Sequence, residues 1–163
     1  MKYFAYGSNM SLARLSQRTP NVERLGLFIL IEHQLQFHKA GDDGSGKCDA
    51  AFTGNNQDKI YGALYEIDPK EKSTLDVIEG LGNGYNEKIV SVEGANGEKV
   101  KALTYYATDI SDTLPPYTWY LDHVLIGAKE IGVPAHYLDG IKATYSVKDD
   151  DEKRLLKESV IYS

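Results

Sequence analysis

The residues Tyr6-Gly7-Ser8-Asn9 form the first stretch of the sequence whose types and order could do chemistry. The apolar and aromatic residues before them predict a buried strand over Lys2–Tyr6, and Ser11 is a good N-cap for a following helix. A glycine between strand and helix permits a sharp turn. Such a junction directs free backbone N–H groups toward one point, where they could bind an anion or a developing oxyanion. An ordinary turn, capped by its serine and asparagine, is the alternative.

Glu79 is the second candidate, because it ends a predicted helix just before Gly80, a good left-handed residue after the last turn. Leu75 and Ile78 mark the apolar side of this helix, and Glu79 lies four residues after Leu75, on or beside that side. Burial and the negative end of the helix dipole both disfavour a charged carboxylate. We therefore expect Glu79 to accept a proton well near neutral pH. A boundary glutamate with its carboxylate in water is the alternative.

Strands are predicted to hold these two candidates in place. β-Branched and aromatic residues predict strands at Lys2–Tyr6, one or two within Leu25–Lys39, Ala50–Thr53, Lys59–Ile67, Glu87–Val92 and Lys99–Ala107. Asn96-Gly97 predicts a hairpin between the last two. The polar, glycine-rich segment from Lys39 to Asp49 is interpreted as a loop.

Helices are predicted mainly in the last third of the chain. Capping residues and helical spacing predict helices after Ser11, from Asp68 to Glu79, from about Tyr117 to Gly132, after Pro134 and across Asp150–Val160. The acidic run Lys148–Glu152 is interpreted as the solvated start of the last one. Strands followed by helices indicate an α+β fold with a mostly antiparallel or barrel-like sheet.

Length and composition exclude several classes of protein. The chain has 163 residues, 42% of them hydrophobic, which suits one domain with a core that needs no disulfides. A net charge of −6 argues against a nucleic-acid partner, and no apolar run is long enough to span a membrane. One cysteine cannot form an internal disulfide, and no apolar leader follows Met1, so we expect a cytoplasmic protein.

The segment Gly41–Lys47 fits the spacing of a phosphate-binding loop, G-x-x-x-x-G-K. The next position, which should be Ser or Thr, is Cys48, and Asp42 and Asp43 would repel phosphate. No predicted helix follows to supply amide donors. We interpret the segment as a solvated loop.

The four histidines and the cysteine do not indicate a further site. The histidines show no metal-ligand spacing. Cys48 has no identifiable basic partner and is followed by Asp49, which disfavours a thiolate nucleophile. The sequence therefore predicts no metal.

Tyr3-Phe4-Ala5-Tyr6-Gly7-Ser8-Asn9-Met10 resembles the opening signature of the γ-glutamylcyclotransferases, part of the wider AIG2-like group. The resemblance continues in family order at Gly62, Asp76-Val77-Ile78-Glu79-Gly80, Tyr85, Tyr120 and Gly127-Ala128-Lys129-Glu130. Related subgroups tend to carry leucine in place of Asn9, or Thr-Leu in place of the Ser-Asn pair. The pair therefore favours the type that acts on γ-glutamyl amino acids. Met10 replaces a usual leucine, and the 41–47 segment and acidic C-terminal stretch match nothing in the pattern.

The resemblance implies one domain over residues 1–163, a small mixed or antiparallel β-barrel flanked by helices. It implies that the α-amine of a γ-glutamyl compound attacks its own γ-carbonyl, which forms 5-oxoproline and releases the attached amine or amino acid. The implied catalytic residue, a general base, is Glu79. The implied substrate-binding residues are Tyr6, Gly7, Ser8, Asn9, Tyr85 and Tyr120. No metal or organic cofactor is implied.

Two other functions fit the same residues. One is a cyclotransferase for γ-glutamylamines, including one that removes a protecting γ-glutamyl group. The other is a non-catalytic small-ligand-binding domain of the same fold, although a pure binder has no use for a costly buried carboxylate. The expected partner is a small γ-glutamyl substrate, not nucleic acid or a membrane, and a homodimer is compatible with the sequence.

Overall fold

Seven strands occupy the first two thirds of the chain. The computed structural model describes residues 1–163. The strands are β1 (Lys2–Ala5), β2 (Val22–Ile31), β3 (His33–Ala40), β4 (Gly46–Phe52), β5 (Lys59–Ile67), β6 (Tyr85–Gly94) and β7 (Lys99–Ala107). Their positions agree with the predicted strands, and Leu25–Lys39 holds parts of two strands.

Five of the strands form a closed barrel in the order β1-β5-β2-β6-β7. Neighbours pair antiparallel except where β1 meets β7 in parallel, at Tyr3 opposite Leu103, which closes the barrel. Closure leaves no free edge among these strands. The expected α+β fold with a small mixed barrel is confirmed.

Strands β3 and β4 form a separate two-stranded sheet beside the barrel. The predicted loop over Lys39–Asp49 is wrong at both ends, since only residues 41–45 connect the strands. Gly46 begins β4, opposite Ala40 of β3, and a Cβ there would clash with the Leu114 carbonyl oxygen, so only glycine fits. Asp49 ties β4 to the barrel by accepting a 2.8 Å hydrogen bond from the Ala107 N–H.

Five α-helices surround the barrel: α1 (Leu12–Arg18), α2 (Lys72–Glu79), α3 (Thr118–Ile131), α4 (Ala135–Lys142) and α5 (Glu152–Ser159). The Ser11 hydroxyl caps α1 by accepting from the Arg14 N–H at 3.3 Å. A single 3-10 turn, Pro69–Glu71, precedes α2, and its N-cap is Asp68, as predicted. None of the helices is long and apolar enough to cross a bilayer.

The core joins the barrel to helix α3. Phe4 and Leu64 of the barrel are almost completely buried, as are Met10 and Val124 beside them in the core cluster. A Cβ on Gly127 would lie 2.5 Å from the Met10 Cβ, so this glycine lets α3 pack directly on the turn that follows β1.

The acidic run before α5 is only partly solvated, which corrects the sequence interpretation. Asp151 does cap the helix, accepting from the Arg154 N–H at 3.0 Å. Asp149, however, is fully buried and accepts a 2.8 Å hydrogen bond from the Trp119 indole. Hydrogen bonds from the Arg154 guanidinium hold the pKa of Asp149 well below its usual range. The aspartate therefore anchors the C-terminal helix to α3.

Candidate active site

The turn after β1 and the end of α2 face the same cavity. The space between them, including its opening to solvent, is about 310 Å³. It is lined by Tyr3, Tyr6, Gly7, Ser8, Asn9, Cys48, Glu79, Tyr85, Tyr105 and Tyr120. The structure thus brings together all seven residues that the sequence analysis selected. A larger cavity between β3, β5 and α4 includes none of them.

Glu79 reaches the cavity from the last turn of α2. Leu75 is fully buried and marks the inner side of the helix. At about 100° per residue, Glu79 lies about 40° to one side of Leu75 and Ile78 about 60° to the other. Ile78 is 37% exposed, so its predicted place on the apolar side is wrong. Gly80, with φ 71° and ψ 44°, then ends the helix as predicted.

The Glu79 carboxylate is held through one oxygen. Asn9 Nδ2 donates a 2.6 Å hydrogen bond to Oε1, and Arg18 Nη1 lies 3.7 Å from the same atom. Both contacts are made to the same carboxylate oxygen. Oε2 has no such contact, and the side chain is 16% exposed. One oxygen is thereby fixed while the other is available to a ligand.

A second set of contacts fixes α2 against the barrel. The Tyr105 hydroxyl donates a 2.6 Å hydrogen bond to Asp76 Oδ1. Lys72 forms ion pairs with Asp76 and, at 2.7 Å, with Glu87 on β6. These contacts orient the helix that carries Glu79.

The turn after β1 presents unpaired backbone amides. Residues Ser8–Met10 form one 3-10 turn, whose first internal hydrogen bond runs from the Met10 N–H to the Gly7 carbonyl at 3.0 Å. The N–H groups of Ser8 and Asn9 precede that bond, so the turn does not use them. Ser8 and Asn9 are both buried and line the cavity, so their amides lie in its wall.

Gly7 is required for close packing. A Cβ at Gly7 would lie 3.0 Å from the Cys48 Cβ and 3.4 Å from the Tyr120 hydroxyl. Its missing side chain lets β4 and α3 approach the turn and narrow the cavity.

The three predicted tyrosines differ in how their hydroxyls are used. Tyr6 donates to the Tyr105 carbonyl at 2.6 Å, and Tyr85 donates to the Cys48 carbonyl at 2.5 Å. Tyr120 instead accepts from the Cys48 N–H at 2.9 Å, so its own proton is not donated to a backbone carbonyl. Burial raises the pKa of all three phenols well above the usual value, so each stays neutral.

Sequence reasoning missed four side chains at this site: Tyr3, Arg18, Cys48 and Tyr105. Tyr3 lies in the octet that carried the resemblance, which was a usable signal. The other three reach the cavity through tertiary packing, and no local pattern marks them. Burial raises the pKa of the Cys48 thiol to about 12, so it stays protonated, in agreement with the earlier exclusion of a nucleophile.

Comparisons with known proteins agree with this architecture. A family model described as the AIG2-like family matches residues 59–141, about half of the chain. Gamma-glutamylcyclotransferase of Bos taurus is 28% identical over 163 residues, covering 97% of this chain and 84% of the relative. The protein of the same name from Homo sapiens is 28% identical over 149 residues, covering 86% of this chain and 77% of the relative.

A solved structure named gamma-glutamyl cyclotransferase has the same fold. It superposes with a TM-score of 0.84 over 97% of this chain and 98% of that one, at 23% identity. At 23% identity, the structural similarity shows only that the two proteins share a fold. The fold agrees with the family match, which itself includes Glu79, Tyr85 and Tyr120. The chain belongs to the AIG2-like family.

Proposed function

We propose that this protein is a γ-glutamylcyclotransferase, which converts γ-glutamyl compounds to 5-oxoproline and a free amine or amino acid. The observation that carries the proposal is the position of Glu79, whose unpaired Oε2 shares a cavity with the amide-bearing turn Gly7–Asn9. The relatives of the same name, at 28% identity over most of the chain, support it.

The first step is removal of a proton from the substrate's α-ammonium group. An ammonium has no lone pair with which to attack, and the pKa of an α-amino group is only about 8. Glu79 Oε2 accepts this proton, while Asn9 and Arg18 keep the carboxylate oriented through Oε1. The freed amine nitrogen then bonds to the γ-carbonyl carbon and closes a five-membered ring.

The second step breaks the original amide. The bond between the γ-carbon and the leaving nitrogen cleaves as the carbonyl re-forms, and Glu79 returns its proton to that nitrogen. The ring nitrogen still carries two hydrogens after the attack, and the regenerated Glu79 carboxylate transfers one of them to the released amine. The products are 5-oxoproline and a protonated amine, and the carboxylate is again free. These proton transfers need only Glu79 and the substrate.

The turn stabilises the charge that develops between these steps. As the ring closes, the γ-carbonyl oxygen becomes negative, and the N–H groups of Ser8 and Asn9 and the free O–H of Tyr120 can donate to it. One such donor contributes about 3 kcal/mol. Some of these amides would instead hold the substrate's α-carboxylate, which folds the flexible glutamyl chain toward its attack geometry.

We place this reaction in the cytoplasm, since the single cysteine leaves the fold without disulfides that would need an oxidising compartment.

The test is to incubate the purified protein with a panel of γ-glutamyl amino acids, peptides and amines, and to measure 5-oxoproline by mass spectrometry. Release of 5-oxoproline together with an equal amount of the amine supports the proposal. Saturable binding of these compounds with no 5-oxoproline from any of them would instead establish a binding domain.

A further inference from the structure

The last residues of the chain return to the start of α1, beside the turn that carries the cavity amides. A 3-10 turn, Val160–Tyr162, follows α5, and the Tyr162 hydroxyl donates a 2.9 Å hydrogen bond to Ser11 Oγ, 151 positions away. Ser11 directly follows the turn Ser8–Met10, caps α1 and is fully buried. Tyr162 does not line the cavity, so any effect it has on the site passes through Ser11 and its other contacts.

The local hydrogen bonds of Ser11 are long. Its N–H donates to the Ser8 carbonyl at 3.3 Å, and its hydroxyl accepts from the Arg14 N–H at 3.3 Å. Both distances exceed the usual range of about 2.7–3.2 Å for N–H···O bonds. The bond from Tyr162, at 2.9 Å, is within the usual range for O–H···O bonds and is the shortest that the Ser11 hydroxyl makes.

Tyr162 is held in turn by a buried cluster that joins three helices. His123 of α3 is 1% exposed, and its Nδ1 lies 2.6 Å from the Tyr162 hydroxyl. On the other side of the ring, Nε2 lies 2.9 Å from Glu158 Oε2 of α5. Glu158 also forms an ion pair with Arg14 of α1. The Tyr162 hydroxyl therefore has a fixed position, although the residue as a whole is 37% exposed.

Other contacts support the turn at its last residue, Met10. The Tyr65 hydroxyl of β5 donates to the Met10 carbonyl at 2.7 Å, and Gly127 of α3 packs against Met10. The Ser11 hydroxyl receives a hydrogen bond from outside α1 only from Tyr162. Tyr162 thus restrains the joint between the turn and α1.

A small displacement of this joint would reach both sides of the cavity. The amides of Ser8 and Asn9 lie two and three residues before it, and Asn9 also holds Glu79 through a 2.6 Å hydrogen bond. At the far end of α1, Arg18 donates to Asn9 Oδ1 at 3.2 Å. Because the turn and α1 are continuous through Ser11, a shift there moves the amide donors and the side chain that orients Glu79.

We infer that Tyr162 is a positioning residue for the reaction, and that the C-terminal segment completes the support of the active-site turn. Tyr162 holds Ser11, and Ser11 keeps the amides of Ser8 and Asn9 where the γ-carbonyl oxygen becomes negative. This inference rests on the proposed function. It gives a role to the C-terminal stretch, which matches nothing in the family pattern of the sequence.

The test removes single hydroxyl groups. Tyr162→Phe and Ser11→Ala should each lower kcat about tenfold and leave KM within about threefold, because displaced donors lose transition-state contacts first. The double variant should lose no more than the larger single loss, since both changes break one contact. Ser159→Ala is the control, because it removes a 2.7 Å hydrogen bond within α5 that does not involve Ser11. The substrate is the γ-glutamyl compound that the wild type converts fastest.

A second measurement needs no turnover. The backbone amide chemical shifts of Ser8 and Asn9, measured by NMR, should change in Tyr162→Phe and stay at the wild-type values in Ser159→Ala. Urea unfolding of each variant separates the loss of positioning from a loss of stability.

Several outcomes overturn the inference. A wild-type kcat in Tyr162→Phe, or an equal loss in Ser159→Ala, would make Tyr162 a structural residue alone. Losses that add in the double variant would show that Tyr162 does not act through Ser11. If Tyr162→Phe does not fold, Ser11→Ala decides: a wild-type kcat overturns the inference, and a loss of about tenfold supports it. A wild type that forms 5-oxoproline from no γ-glutamyl compound refutes the proposed function, whereas unchanged Ser8 and Asn9 shifts in Tyr162→Phe refute the positioning role.

Discussion

Asn9 Nδ2 donates a 2.6 Å hydrogen bond to Glu79 Oε1, and the two residues are 70 positions apart in the chain. The same amide group donates to the Tyr3 hydroxyl at 3.2 Å and accepts from Arg18 at 3.2 Å. Asn9 thus connects the amide-bearing turn to the proposed general base. Its side chain fixes the distance and orientation between the two parts of the site.

Replacing Glu79 with glutamine should abolish turnover and spare binding. Glutamine keeps the shape and can still accept from Asn9, but it cannot take the substrate's proton. We expect kcat to fall by about 1000-fold while ligand affinity stays within about tenfold. Steady-state kinetics and calorimetric titration measure the two effects. Glu23→Gln, at an exposed position on β2, is the matched control. Comparable turnover by Glu79→Gln and the wild type would remove Glu79 from the mechanism.

Asn9→Ala should impair the chemical step more than binding. Without the amide, Glu79 retains its charge partner Arg18 at 3.7 Å but loses its shortest contact, so its orientation is less defined. We expect kcat to fall by about 10- to 100-fold, since small misplacements of a catalytic group have effects of that size. Single-turnover measurements on this variant and on Asn56→Ala, an exposed control, test the expectation. An effect confined to KM would show that Asn9 serves substrate binding alone.

Tyr120→Phe and Tyr85→Phe form a matched pair. Each removes a hydroxyl that bonds to the backbone of Cys48, so each should lower the free energy of unfolding by about 1–2 kcal/mol. The Tyr85 proton is donated to a backbone carbonyl and the Tyr120 proton is not, so only Tyr120→Phe should also lower kcat/KM by tenfold or more. Urea unfolding and kinetics on both variants check this. Equal kinetic losses would mean that the phenols act only through packing.

Gly7→Ala should impair substrate binding through steric contact between the new Cβ and Cys48 of β4. The new Cβ would lie 3.0 Å from the Cys48 Cβ, which forces the turn and β4 apart. We expect KM to rise about tenfold, as the cavity wall shifts. Gly140→Ala is the control, because a Cβ there meets no atom within 4 Å and should stabilise α4 by about 0.5–1 kcal/mol. Wild-type kinetics in Gly7→Ala would refute the assignment of the turn to substrate binding.

Lowering the pH should weaken the packing of α5 on the rest of the protein, because Glu158 then loses its charge and its ion pair with Arg14. Burial alone would raise the pKa of this carboxyl, but the His123 hydrogen bond and the Arg14 charge outweigh it and lower the pKa to about 2. The unfolded value is about 4.3, so the stabilisation is complete above that pH and is lost as pH falls toward 2. Between pH 6 and pH 3 this group should account for about 2 kcal/mol of lost stability. Urea unfolding of the wild type should therefore depend more steeply on pH than that of Glu158→Gln. Identical slopes would contradict this role.

The local elements of the site follow from the sequence. The strand before Tyr6, the Ser11 cap, and the helix that ends at Gly80 all depend on residues within a few positions of each other. Turn and capping preferences act over that range, so patterns of residue type predict them. The closed barrel was expected from the family resemblance.

The errors share a physical cause. Residues 46–49 resemble a loop by composition, yet β3 pairs with them, and Asp149 resembles a solvated acid, yet Trp119 and Arg154 bury it. Ile78 has an apolar side chain, but the helix turns it outward. Packing in the folded chain decides burial at residues 46–49 and Asp149, and the angle of α2 against the core decides it at Ile78. Composition records neither.

Local backbone preferences place Tyr6–Asn9 and Glu79 at the ends of regular elements, so residue types alone predict those positions. The folded chain is needed to show that Asn9 holds one oxygen of Glu79 and that Tyr120 accepts from the Cys48 N–H. These are relations between side chains brought together by barrel closure and helix packing. They depend on distances of a few ångströms between residues far apart in the chain, which no local pattern encodes.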